Sequence, residues 1–259
     1  MADLLGDLAA LRRRAREDRH AYPFPLLFFG VASFLAMPLY APAGPAPHLV
    51  VHEISLNPLT VLGAAAGVRH PLALGLYWLA VLVAGALATA WWYRGRGRRV
   101  GIETSTSGYL AALAIGLGAP LVSMGLVWYL PRTTFGLWGQ GQATGVGLVV
   151  IPLATVLWRR KAPRVLTVAA AVLGTAVLQY AQAWIGQFIA IGLGLVVLAA
   201  VERSTRFTTT TAAYLVALCV TAGFTPLTVT PATAWSMGSV VVLPGFVLVV
   251  GGLVGLRRG

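Results

Sequence analysis

The chain has 259 residues, of which 58% are hydrophobic and 10% charged, and its mean hydropathy is +0.81; a soluble globular domain carries roughly 25% charged residues. This composition excludes a water-soluble fold and leaves no stretch within these residues for a hydrophilic catalytic domain. The formal charge of +12 sits in short runs between apolar segments, so it reads as membrane topology rather than a nucleic-acid footprint, and the lone Cys219, inside an apolar segment, excludes a disulfide framework or a Cys-based zinc site.

Residues 1–21 form a polar leader. Asp3 and Asp7 come early, Leu4, Leu8 and Leu11 recur at helical spacing, and Arg12, Arg13, Arg14, Arg16 and Arg19 follow. Acid first and base last suits the helix dipole, so a short amphipathic helix at the cytoplasmic surface is expected, touching anionic lipid or a cytoplasmic protein partner. Residues 22–40 are the first apolar span. A connection over 41–71 follows, in which Asn57 and Pro58 make a good helix start; residues 58–66 are too short to cross and predict an interfacial helix. Further spans are expected at 72–93, 108–129 and 144–158.

The uncharged tract 165–201 carries the topology. It is 37 residues long, whereas one crossing takes about 20. Its least apolar part is its centre, Gln179-Tyr180-Ala181-Gln182-Ala183-Trp184-Ile185-Gly186-Gln187. Two short helices meeting there supply the fifth and sixth spans. The seventh falls at 210–224 and the eighth at 237–256, before a tail at 257–259. With the amino terminus inside, 17 of the 19 Lys/Arg lie on cytoplasmic segments, and only Arg69 and Arg132 lie outside. The expected fold is therefore an all-α integral membrane protein. It is a bundle of eight transmembrane helices over 22–256, multi-pass in the plasma membrane, with both termini cytoplasmic.

A weak internal echo accompanies this plan. Tyr109, Leu110, Ala112, Leu113 and Gly118 match Tyr214, Leu215, Ala217, Leu218 and Gly223 at identical spacing, and Val149 to Pro152 resembles Val241 to Pro244. It suggests a 4+4 parallel repeat. Ala80, Ala84 and Ala88, and Gly251 with Gly255, are small-residue patterns suited to close helix contact within the bundle or in a homo-oligomer. Pro120, Pro152 and Pro244 fall inside spans three, four and eight and favour kinks; a cavity among spans three, four, seven and eight would point to transport.

Candidate chemistry is sparse. The spans hold no clear Asp, Glu, Lys, Arg or His, which argues against ion-coupled transport, proton relays and hydrolysis at depth. All five glutamines, Gln140, Gln142, Gln179, Gln182 and Gln187, fall on the predicted outer side with Trp138 and Trp184. Neutral amides beside indoles can hold an uncharged ligand or a lipid head group, or they can simply satisfy loop carbonyls. His52, Glu53 and His70 lie in or at the end of the outer connection; they are a speculative catalytic group, without the HExxH spacing of a zinc site. No metal site and no cofactor is predicted.

The segments RRRAREDRHAYPFPLLFFG (12–30), LYWLAVLVAGALATAWWYRGRGRRVGIETSTSGYL (76–110) and VERS (201–204) resemble uncharacterised multi-spanning membrane proteins of high-GC actinobacteria. The resemblance implies an actinobacterial plasma-membrane setting and carries no activity or site residues with it. The sequence thus leads to a non-enzymatic membrane protein: a small permease or a membrane subunit of a transport complex, handling a neutral or lipid-like ligand among membrane lipids. A membrane-embedded enzyme acting on a lipid or isoprenoid at the outer face is one alternative, and a membrane sensor or scaffold is another.

Overall fold

A computed structural model describes residues 22–40, 68–100, 107–129, 140–160, 162–181, 185–202, 204–224 and 234–257. Among them the chain forms eight α-helices and no sheet. They are α1 (Pro23–Leu35, followed by a 3-10 turn Met37–Tyr40), α2 (Pro71–Val100), α3 (Ser107–Tyr129), α4 (Gln140–Arg159), α5 (Arg164–Ala181), α6 (Gly186–Glu202), α7 (Thr205–Phe224) and α8 (Ala234–Leu256). Each segment expected to be a span contains one helix. The all-helical class is therefore as expected, whereas eight crossings do not follow from the helices themselves. Only Pro71–Gly95 is by itself long and apolar enough to cross a membrane, while Pro23–Leu35, Arg164–Gln179 and Gly186–Glu202 are apolar but shorter. The leader, the expected helix over 58–66 and the end of the tail lie outside the described residues.

Local chemistry sets the helix boundaries. Pro23 opens α1 and Pro71 opens α2, positions where a missing N–H costs nothing and φ is already helical. Pro38 follows α1 and tightens its exit into the 3-10 turn. Arg164 starts α5 just after Pro163, whose carbonyl accepts from the Thr167 amide at 3.2 Å. The Thr run of α7 is a poor helix former in isolation. Here Thr208 and Thr210 turn their hydroxyls back onto the carbonyls of Ser204 and Arg206, at 2.9 and 3.0 Å, so these two are satisfied within the helix.

The 37-residue uncharged tract does break in two. The helices α5 and α6 end and restart between Ala181 and Gly186, and a Cβ placed on Gly186 would sit 3.4 Å from that of Gln179. The Gln-rich centre flanks this break, where Gln179 and Gln187 reach Ser123 and Tyr40. Of the two, α6 is the central element. From Gly186 to Gly192 every residue is buried, with α3, α5 and α7 against it.

Glycines set the closest approaches. The α1 and α8 helices run against each other so tightly that a Cβ on Gly252 would lie 2.5 Å from Leu27 Cγ, and one on Gly30 would lie 2.7 Å from Val249 Cγ2. A Cβ on Gly251 would overlap the Thr210 methyl on α7. Similar contacts, Gly147 with Leu178 and Gly174 with Val150, bring α4 onto α5. The Gly251/Gly255 pattern is therefore a packing surface inside the chain. The Ala80/Ala84 pattern is different, because both residues are exposed on α2 among the described residues.

Helix α2 buries one stripe: Leu74, Trp78, Leu82, Gly85, Thr89 and Tyr93. Trp78 meets Phe188 of α6 edge-to-face, with ring centroids 5.1 Å apart, an arrangement worth about 0.5–1.5 kcal/mol beyond area burial. Tyr22 stacks on Phe207 of α7 at 5.2 Å. These rings tie the end of α1, α2, α6 and α7 into one core.

Candidate functional site

Two features of the interior carry chemistry, and they lie toward opposite ends of α2 and α6. The first is a buried polar node. Tyr40, Trp78 and Gln187, each 1% exposed or less, come from the 3-10 turn, α2 and α6. Trp78 Nε1–H donates to the Tyr40 hydroxyl at 3.0 Å, and the Gln187 amide lies 2.9 Å from the same oxygen. An indole can only donate, and the Tyr40 oxygen, with two lone pairs, accepts from the Gln187 amide nitrogen as well. The Gln187 carbonyl oxygen is then left without a hydrogen-bond partner.

Gln179 of α5 repeats the pattern. It is 1% exposed and lies 2.9 Å from Ser123 Oγ of α3, which also reaches the Pro120 carbonyl at 2.8 Å. The Ser123 hydroxyl proton is shared between the Gln179 carbonyl oxygen and the Pro120 carbonyl. The Gln179 amide nitrogen is the atom left over, so a second amide is one hydrogen bond short.

This places the predicted outer Gln/Trp group. Gln179 and Gln187 face inward, in contacts between helices, rather than lining an open vestibule. Gln140 and Gln142 occupy the first turn of α4, while Gln182, Trp138 and Trp184 lie outside the described residues. So do His52 and Glu53; His70 is exposed just before α2. Sequence reasoning missed Tyr40, Trp78 and Ser123. Nothing in the spacing of Tyr40 and Trp78 signals that they meet each other.

The second feature is an apolar cleft of about 50 Å³ between α1, α2, α3 and α6, walled by Phe29, Leu82, Leu113, Ile191 and Leu198 among others. The prolines of spans three, four and eight led to a cavity among spans three, four, seven and eight. The cleft instead has α1, α2, α3 and α6 in its wall, and none of its lining residues comes from α4, α7 or α8. Gly116 and Gly194 line it, and a Cβ on either would meet nothing within 4 Å. Its one polar wall atom of note is the Thr89 hydroxyl, 8% exposed as a residue and without a hydrogen-bond partner. One turn beyond, Tyr93 donates to Glu202 Oε1 and joins α2 to α6. Glu202 thus has a structural role at that end.

Comparison with protein-family models, with curated proteins and with solved structures gave no match for this chain.

Proposed function

We propose that the chain is a non-enzymatic, polytopic membrane protein, a small permease or the membrane subunit of a transport complex that handles a neutral or lipid-like ligand. In this reading all eight helices cross the plasma membrane, both termini are cytoplasmic, and the two groups of four helices descend from a parallel repeat. The carrying observation is the inversion of polarity across the helices. Large apolar side chains point outward, with Val149 68% and Val216 62% exposed, while Gln179, Gln187 and Ser123 are buried. A water-soluble bundle would hide the first set and hydrate the second; a bilayer reverses both preferences. Helices of 17 and 18 residues such as α6 and α5 rise about 26 Å at 1.5 Å per residue, close to the roughly 30 Å hydrocarbon core.

The polar groups of the Tyr40, Trp78 and Gln187 node and of the Gln179–Ser123 pair are amides, a hydroxyl, a phenol and an indole. They hydrogen-bond while staying neutral, which suits holding an uncharged ligand better than proton-transfer chemistry. The resemblance noted in the sequence supports an actinobacterial setting, and the Arg-rich leader would then lie at the cytoplasmic surface. The test is single-cysteine labelling in sealed right-side-out vesicles, starting from Cys219→Ala. An impermeant maleimide should label Gln182→Cys from outside and Arg98→Cys only after the vesicles are opened. The opposite pattern, or loss of the protein from membranes at alkaline pH, overturns the reading.

A further inference from the structure

We infer that the cleft between α1, α2, α3 and α6 holds one acyl chain of an anionic phospholipid of the cytoplasmic leaflet, with the chain's ester carbonyl accepting the Thr89 hydroxyl proton. The inference rests on the membrane-spanning reading above and names the ligand class for one place in it.

Thr89 departs from a habit of this chain. Ser33, Thr167, Thr175, Thr208, Thr210 and Thr221 all turn their hydroxyls onto the carbonyl four residues earlier, the usual way to satisfy such a group within a helix. The Thr89 hydroxyl and the Thr211 hydroxyl of α7 are buried and do not; of the two, Thr89 is the one on the cleft wall. A buried, unmade hydrogen bond is costly, so this atom calls for a partner from outside the chain. Water fills that role poorly, since an ordered water needs two to four polar partners and the wall offers one unsatisfied hydroxyl among apolar side chains. A hydrocarbon chain that carries a single acceptor matches the lining on both counts.

The shape of the cleft agrees. At Gly116 and Gly194 the wall recedes to the backbone, with nothing within 4 Å of either Cβ position. Depth selects the ester. Thr89 lies four residues before Tyr93, where exposed Trp91 and Trp92 mark an interface, so it sits one turn below the belt on which headgroups rest. From there α2 continues into Arg94, Arg96, Arg98 and Arg99. Position 96 falls two turns after Thr89 on the same register, about 10 Å along the axis, and basic residues there complement a headgroup phosphate.

The experiment uses the full chain, delipidated in detergent and titrated with dioleoyl phosphatidylglycerol, with bound lipids counted by native mass spectrometry. One lipid should bind well ahead of the rest, and dioleoyl phosphatidylcholine should displace it poorly. Thr89→Val should weaken that lipid by about fivefold, the value of one neutral hydrogen bond, and Thr89→Ser should restore it. Gly194→Leu, whose Cβ meets nothing within 4 Å and whose branched end occupies the cleft, should abolish it. Gly125→Leu, at a position also open but away from the cleft, should not. Thermal unfolding of each variant checks that the fold survives. Equal binding by Gly194→Leu and the parent overturns the inference, as does equal preference for the two lipids. If the chain floats with phosphatidylglycerol vesicles yet the variants do not differ, the cleft assignment alone falls. If it does not float with them, the membrane-spanning reading falls too.

Discussion

Replacing Tyr40 by Phe removes one oxygen and undoes the polar node where three segments meet. The ring of Tyr40 is 1% exposed and its neighbours Trp78 and Gln187 are no more accessible, so water cannot replace the lost partner without opening the core. Two hydrogen bonds go, at 3.0 and 2.9 Å. An unsatisfied buried group costs about 1–3 kcal/mol in soluble proteins. Bonds between membrane helices average nearer 0.6 kcal/mol, with a maximum around 1.7, because the unfolded chain in lipid finds other partners. The expected loss for Tyr40→Phe is therefore about 1–3 kcal/mol. Gln187→Leu alone should lose somewhat less, since Trp78 keeps its acceptor. The double variant should fall short of the sum of the two by about 1 kcal/mol, because each single change already strands the other's partner. Reversible unfolding in mixed micelles of dodecyl maltoside and sodium dodecyl sulfate, followed by helical circular dichroism, measures all three. A Tyr40→Phe protein within about 0.3 kcal/mol of the parent, an amount typical of unconnected surface changes, would refute the reasoning.

Other substitutions probe the rest of the bundle. Gly251→Leu and Gly255→Leu should unfold or strongly destabilise the protein in the same assay, because their Cβ atoms would run into Thr210 on α7 and into Pro23 and Tyr22 at the start of α1. Gly125→Ala and Gly145→Ala, at positions with no neighbour within 4 Å, should be neutral or gain up to about 1 kcal/mol from helix propensity. Tyr93→Phe breaks the link to Glu202 and should cost about 1.5–3 kcal/mol, the range for bonds to a charged group; Glu202→Gln, which keeps an acceptor there, should cost less in the same unfolding curve. Cys219 is exposed on α7 and is the only cysteine. In intact membranes it should react with a lipid-soluble maleimide and resist a water-confined one, and the reverse order would count against a lipid-facing α7.

Much of the secondary structure could be read from the chain itself, because apolar runs, prolines and basic punctuation act locally. A tract of 37 uncharged residues with amides at its centre had to divide near Gln182, and it does. The small-residue pairs were legible only as a kind of surface. Gly251 and Gly255 turned out to be pressed against α7 and α1, while Ala80 and Ala84 face outward. The same spacing serves both outcomes, since helical periodicity gives a face and not its neighbour.

Composition and charge order determined that this is an all-helical chain with apolar helices of about the right number and positions, for these are properties of residues next to one another. Which polar groups meet was decided by tertiary packing alone. Tyr40 joins Gln187 across 147 residues, and Gln179 joins Ser123 across 56. The cleft opened beside Thr89 rather than beside the prolines. Such pairings depend on how helices lean on one another, and a one-dimensional pattern of apolar residues is nearly the same for every way of leaning.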